Sequence, residues 1–394
     1  MMMLGYSSKP LHLLVLSLVV AVSACSGNTG ETDQTLISHT RSTFHVGGRT
    51  VNVSTPTTGT GFVYTEQIYV ERLTPIAVTH ATPIILWTGL GQTGTSWIST
   101  PDGRLGWAQL FLSAGYEVYI ADQPERGRSP LLPPPFNDTD VSQSVVAGAY
   151  ASRLWTATQS FPNQSWPQAY LHTQWPGTGL AGDPAFETFL AAQVPSLLNQ
   201  TKSEALARTA GAALLDHIGQ PVVILTHSQG GAHGWAIADE RPGTVRAIIA
   251  VEPQGPPFIN QGFGSTGPGI VRPWGITQTK MAYDPPVTDT AELLVENRTL
   301  QPDREGRSEC VLPAQKRTLA NLAHVDVLLV TSEAGYHSVY DYCTVLFLRE
   351  AGVPVEFLDL AAEGIHGNSH FLFMERNSAV VFARVQAWLA GLGV

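Results

Sequence analysis

Charge is scarce in this chain: Asp, Glu, Lys and Arg make up 14% of 394 residues, the formal net charge is −10, and no basic run occurs. A phosphate backbone or an anionic bilayer needs clustered Lys and Arg, so no nucleic-acid partner is expected. Cysteine is nearly absent too. There are three, none in a C-x-x-C spacing, which removes zinc ribbons and thioredoxin-like redox sites. The apolar stretch Leu11 to Val22 holds about a dozen residues, against the ~20 a bilayer-spanning helix requires. No internal repeat is apparent. What is abundant is apolar surface, 43% of residues, enough for a large core and incompatible with a disordered or fibrous chain.

Lys9, the apolar stretch and then "SAC" read as a signal peptide over residues 1–24, cleaved after Ala24, which leaves no integral membrane span. Residues 25–41 then form a flexible tail. The same "VSAC" at 22–25 resembles a bacterial lipobox, in which Cys25 carries the lipid and the polar stretch after it is a tether. Both readings place the protein outside the cytoplasm, secreted in one and surface-tethered in the other. Sequons beginning at Asn52, Asn137, Asn163, Asn199 and Asn297 point to a glycoprotein of a eukaryotic secretory path. With Cys25 set aside, Cys310 and Cys343 remain, and in an oxidising compartment they are expected to pair.

From "STFHVGGRTVNV" and "GFVYTEQIYVERL", which alternate like a hairpin, the chain passes into "TPIILWTGLGQTG", a buried strand running into a glycine-rich loop. Lys202 to Ile218 has helical spacing and is ended by Gly219. Strands "VVIL", "VRAIIAVEP", "HVDVLLVTSE" and "VPVEFLDL" alternate with further helical stretches. That alternation predicts an α/β fold, a mostly parallel sheet with helices on both faces, over residues 42–394. Two long insertions, about 131–200 with Trp155, Trp166 and Trp175, and about 253–290, break the alternation. They are read as cap segments over the carboxyl edge of the sheet, where open α/β sheets bind ligands.

The stretch "VVILTHSQGGAHGW" at 222–235 is a strand, one serine and the start of a helix. Such an elbow pushes a hydroxyl clear of the sheet, although the usual G-x-S-x-G has Thr226 where its first glycine should stand. Ser228 is the candidate nucleophile. A serine needs a base, and the base needs an acid to hold its tautomer. "GIHGNSHFLFMERNS", between the last strand and the last helix, offers His366 and His370. Here the chain resembles the α/β-hydrolase superfamily, and within it a group of extracytoplasmic esterases first known from Alcaligenes, whose "GN-small-H" segment and following "ME-[KR]-N" carry the base. That resemblance implies His370.

For the acid, Glu333 in "VLLVTSEAGYH" occupies the place usual in the superfamily, whereas the resemblance implies Glu252 in "IIAVEPQGPP". Both are carboxylates ending apolar strands, costly unless partnered, and Glu333 stays open as the alternative acid. The oxyanion needs two backbone N–H donors: Gln229, after the nucleophile, and Leu90 in "TGLGQTG", with Gly91 close behind. Some relatives carry adjacent cysteines there; this chain does not. "IADQPERGRSP" also resembles the superfamily's turn after the fourth strand, which implies a structural role for Asp122 and for Arg126 or Arg128, and His227 and His233 are assigned no role. The expected function is an extracytoplasmic serine esterase acting on a small, neutral carboxylic ester through an acyl-enzyme, with no metal and no cofactor. A peptidase or amidase, a thioesterase or an acyltransferase would use the same triad, and a binding protein that kept the fold but lost catalysis is the rival outside enzymology. No pattern speaks to oligomeric state.

Overall fold

Two seventeen-residue strands, β1 (His39–Thr55) and β2 (Gly59–Pro75), open the fold as an antiparallel hairpin in register from His39 opposite Pro75 to Thr55 opposite Gly59. The computed structural model describes residues 36–132, 142–161, 163–164, 166–260, 269–299 and 309–394. The signal peptide, Cys25 and Asn137 lie outside them. The tail expected to reach residue 41 ends earlier, because His39 to Arg41 already pair with Leu73 to Pro75.

Six further strands complete one sheet: β3 (Ile84–Trp87), β4 (Val118–Ala121), β5 (Val222–His227), β6 (Val245–Val251), β7 (Asp326–Thr331) and β8 (Val355–Asp359). Their order is β1-β2-β4-β3-β5-β6-β7-β8, and every pair from β4 to β8 is parallel. Every residue of β3, β4 and β5 is buried. That is why these strands read as continuous apolar runs: helices cover both faces, so neither side of the strand meets water. Parallel pairing brings the carboxyl ends of β3, β5, β6 and β7 side by side, and the residues that follow them, Thr88, Ser228, Glu252 and Ser332, share one edge.

Among the described residues the longer helices are α1 (Trp107–Ser113), α2 (Pro184–Ala191), α3 (Gln200–Ile218), α4 (Gly230–Glu240), α5 (Asp341–Glu350) and α6 (Ser378–Gly391). Successive strand residues point to opposite faces, and two cores result. Leu86, Val223 and Leu225 pack with α1 and α6, while Ile85, Trp87, Val222 and Ile224 pack with α3, α4 and α5. α3 starts on the Asn199 side chain, which accepts from the Lys202 N–H, and ends at Gly219. Cys310 and Cys343 are joined, tying the strand Cys310–Pro313 to α5. Asn52, Asn163, Asn199 and Asn297 are exposed. Among the described residues no helix is long and apolar enough to cross a membrane.

The two insertions part company. The first sets Trp155 and Phe189 on Phe371 at the carboxyl edge, with Trp166, Trp175 and Phe186 in the same core cluster. The second, expected to be cap as well, packs for the most part against the helical face. Phe258, Ile276, Met281, Tyr283 and Val287 join the core under α3, α4 and α5, and the buried Glu204 of α3 accepts the N–H groups of Gln278 and Thr279. Among the described residues of this insertion the buried apolar side chains lie on the flank of the sheet, while Pro253 and Gln254 stay at the edge beside Gly231 and Ser228.

Candidate active site

Two non-glycine residues on the carboxyl edge hold left-handed backbone angles, Ser228 at φ 52° and Glu252 at φ 41°. Such angles cost an L-residue roughly 1–2 kcal/mol and persist only where the surroundings over-determine them. At Ser228 they do. Its N–H donates to Val251 O at 3.1 Å, and its carbonyl accepts from Gly231 and Gln254, both at 2.8 Å. The glycine missing from the elbow pattern is recovered elsewhere: a Cβ on Gly234 would stand 2.6 Å from the Thr226 methyl, so α4 yields the space that Thr226 takes.

His370 Nδ1 lies 2.7 Å from Glu252 Oε2, and both side chains are wholly buried. Glu252 Oε1 accepts from the Ser332 N–H at 2.9 Å and from the Ser332 hydroxyl. Burial alone would raise the Glu252 carboxyl; His337, the hydrogen bond and charge of His370, and Ser332 outweigh it and hold the group at about 2. Burial lowers the pKa of His370, against the pull of Glu252 upward. The ring is therefore neutral at neutral pH. With its Nδ1 proton given to Glu252, Nε2 keeps a free lone pair on the side away from the carboxylate. That nitrogen faces the Tyr336 hydroxyl at 3.4 Å. Ser228 Oγ makes no hydrogen bond among the described residues.

Glu333 and His366, the alternative acid and the alternative histidine, pair with each other. His366 Nδ1 is 2.9 Å from Glu333 Oε1, the histidine side chain is 62% exposed, and Glu333 also accepts the Gly367 N–H. Neither reaches His370. The "GNSH…MERN" spacing has a structural cause: the buried Glu375 accepts from Asn368 Nδ2 and the Ser369 N–H and meets His172 Nε2 at 2.8 Å, which clamps the backbone just before His370.

On the oxyanion side, neither the Leu90 nor the Gln229 N–H is committed to a protein acceptor among the described residues, whereas the Gly91 N–H is taken by Ser196 Oγ at 3.0 Å. Gly89 lets this loop touch the elbow; a Cβ there would fall 2.9 Å from Ser228 Cβ.

His337, not singled out from sequence, lies parallel to His370, with centroids 4.9 Å apart and 11° between planes. Its Nδ1 meets Asp341 at 3.0 Å, and burial pushes its pKa down to about 4. The His-x-x-x-Asp spacing at the head of α5 was its only signal in the sequence. One nitrogen each from His337 and His370 and a Glu252 oxygen lie within 4.8 Å of one another, a spacing that suits a metal ion. His370 Nδ1 and Glu252 Oε2 are engaged with each other, and His337 Nδ1 with Asp341. His227 Nε2 donates to the His370 carbonyl at 3.0 Å and packs on its ring. Trp155 and Tyr336 wall the same imidazole.

Comparison with known proteins agrees with this architecture. A family model described as the alpha/beta hydrolase fold matches residues 82–267. A protein named "Probable secreted lipase phiG", from Fungal sp. (strain ATCC 74256), is 43% identical over 353 residues, covering 89% of this chain and 90% of its own. A solved structure described as that of a novel bacterial esterase superposes with a TM-score of 0.62 at 21% identity, covering 93% of this chain and all of its own.

Proposed function

The chain belongs to the α/β-hydrolase family, and from that premise we propose that it is an extracytoplasmic serine hydrolase that cleaves carboxylic esters. The observation that carries the proposal is the buried Glu252–His370 pair on the edge that also holds Ser228 at its elbow. The relative named a secreted lipase supports both the ester and the location.

In this reading Ser228 Oγ attacks the ester carbonyl while His370 Nε2 takes its proton, and Glu252 holds the ring and balances the imidazolium. The oxyanion lies between the Leu90 and Gln229 N–H groups. On collapse the alcohol leaves with the proton from His370, and a water, deprotonated by the same nitrogen, attacks the acyl-serine and frees the acid. Nε2 turns from the Tyr336 hydroxyl to Ser228 when substrate seats, since catalytic hydrogen bonds commonly tighten only in the Michaelis complex. No step calls on a metal or cofactor. Around His370 the wall is aromatic, Trp155, Tyr336 and Phe371, which suits a neutral acyl or alcohol part.

A fluorophosphonate probe followed by peptide mapping tests this. The adduct is expected on Ser228, with neutral esters turned over faster than anionic ones of equal length. No adduct, or a preference for anionic esters, counts against the reading. The pH profile supplies a second check. The base works only unprotonated, and burial lowers the pKa of His370 below the ordinary 6.5, so kcat/KM should stay level through neutrality and fall only on the acid side of 6.5. An acid limb centred above pH 7 would contradict a buried base.

A further inference from the structure

The turn after β4 carries two arginines with opposite surroundings. Arg128 is paired with carboxylates, its Nε 2.8 Å from Asp122 Oδ2 and its Nη1 on Glu71. Arg126 is 3% exposed and hydrogen-bonds no carboxylate among the described residues. Its Nη1 donates to the Gly89 carbonyl at 2.7 Å, its Nη2 donates to Gln229 Oε1 at 2.9 Å, and its Nε has no partner among the described residues. Burial lowers its pKa to about 9, which leaves it charged at neutral pH. A buried cation whose hydrogen-bond partners are both neutral, offset only by the nearby charge of Asp122, is expensive. Packing alone would be served better by an apolar side chain of similar volume.

Its two acceptors suggest what the charge does. Gly89 C=O and Leu90 N–H are the two ends of one peptide group, and a charged donor on the oxygen withdraws electrons and makes the N–H a stronger donor. The other acceptor is the side chain of Gln229, whose Nε2 is tied to Gln200 Oε1. Both residues whose N–H groups face the proposed oxyanion are therefore braced by one guanidinium.

We propose that Arg126 is a positioning residue of the oxyanion hole, which fixes and polarises the Gly89–Leu90 peptide and locks Gln229 beside it. The inference rests on the ester-hydrolase reading above. Arg126 touches no reacting atom. Its effect belongs to the transition state, because the negative charge it favours exists only there.

The test compares the parent chain with Arg126→Lys, Arg126→Gln and Gln229→Met, using a neutral ester, a trifluoromethyl ketone that forms an enzyme-bound oxyanion, and Tm. Losing a whole oxyanion donor costs about 10²–10³ in kcat. Arg126→Gln, which leaves both donors in place but unbraced, should lose about 30–100-fold in kcat with KM within about threefold. Arg126→Lys, which reaches one acceptor at a time, should fall between. Ketone affinity should drop in step with kcat/KM. Gln229→Met, which keeps the cation buried, should lose about 3–10-fold the same way, and it carries the test if the Arg126 variants do not fold. Variants that lose Tm but keep kcat and ketone affinity within about twofold overturn the proposal and leave Arg126 a packing residue. A parent chain that hydrolyses no ester and binds no ketone overturns the hydrolase reading itself.

Discussion

Ser228→Ala is expected to hydrolyse neutral esters about 10⁶-fold more slowly than the parent chain, with the fold intact. The loss is large because His370 then has no hydroxyl to deprotonate, and only substrate binding and the oxyanion donors remain to act on direct attack by water. Stability should hardly move, since Ser228 Oγ makes no hydrogen bond among the described residues. Ser228→Gly separates the two roles more sharply. The backbone at 228 sits at φ 52°, a conformation glycine adopts without the roughly 1–2 kcal/mol penalty of other residues, so this variant should be equally inactive and no less stable. Steady-state kinetics against a thermal melt decide it. A Ser228→Ala chain within about tenfold of the parent would remove Ser228 from the mechanism.

Much of this site was legible in the sequence. Strand order alone puts one residue at the end of each successive strand, and parallel strands bring those ends together, so Ser228, Glu252 and the His370 loop had to meet at one edge. The incomplete elbow motif was legible as a departure but not as a solution, because the compensating glycine, Gly234, lies further along and meets Thr226 only across a helix–strand contact. His337 and Ser332 went unnamed, and Arg126 was read as structural only, for the same reason. Each acts through a side-chain direction in a turn, and nothing in residue spacing says which way a turn side chain points. The second insertion misled differently: its prolines and glycines suggest a loop, but the buried Phe258, Ile276 and Met281 decide where it lies, and they choose the flank of the sheet. Glu333 was a sound candidate by position, and exposure separates it from Glu252, since it pairs with a half-solvated His366 while Glu252 is sealed against His370.

Glu252→Gln should lower kcat about 10⁴-fold, roughly 5 kcal/mol of transition-state stabilisation. The geometry indicates why an isosteric amide fails. Glu252 Oε1 receives the Ser332 N–H and hydroxyl, and Oε2 receives His370 Nδ1. In the Glu252→Gln chain the single side-chain oxygen must face Ser332, whose buried backbone N–H would otherwise meet an NH₂ group and go unsatisfied. The amide NH₂ then points at His370 Nδ1, which can only accept. The ring proton is forced to Nε2, the nitrogen that has to take the proton from Ser228, and the tautomer is wrong for catalysis. Glu333→Gln is the matched control. It loosens an exposed pair with His366 and should cost less than about threefold in kcat, in line with the small worth of surface ion pairs. Measuring kcat for both variants on one ester therefore assigns the acid; a larger loss at Glu333 would transfer the role to it and leave the buried Glu252–His370 contact without a catalytic purpose.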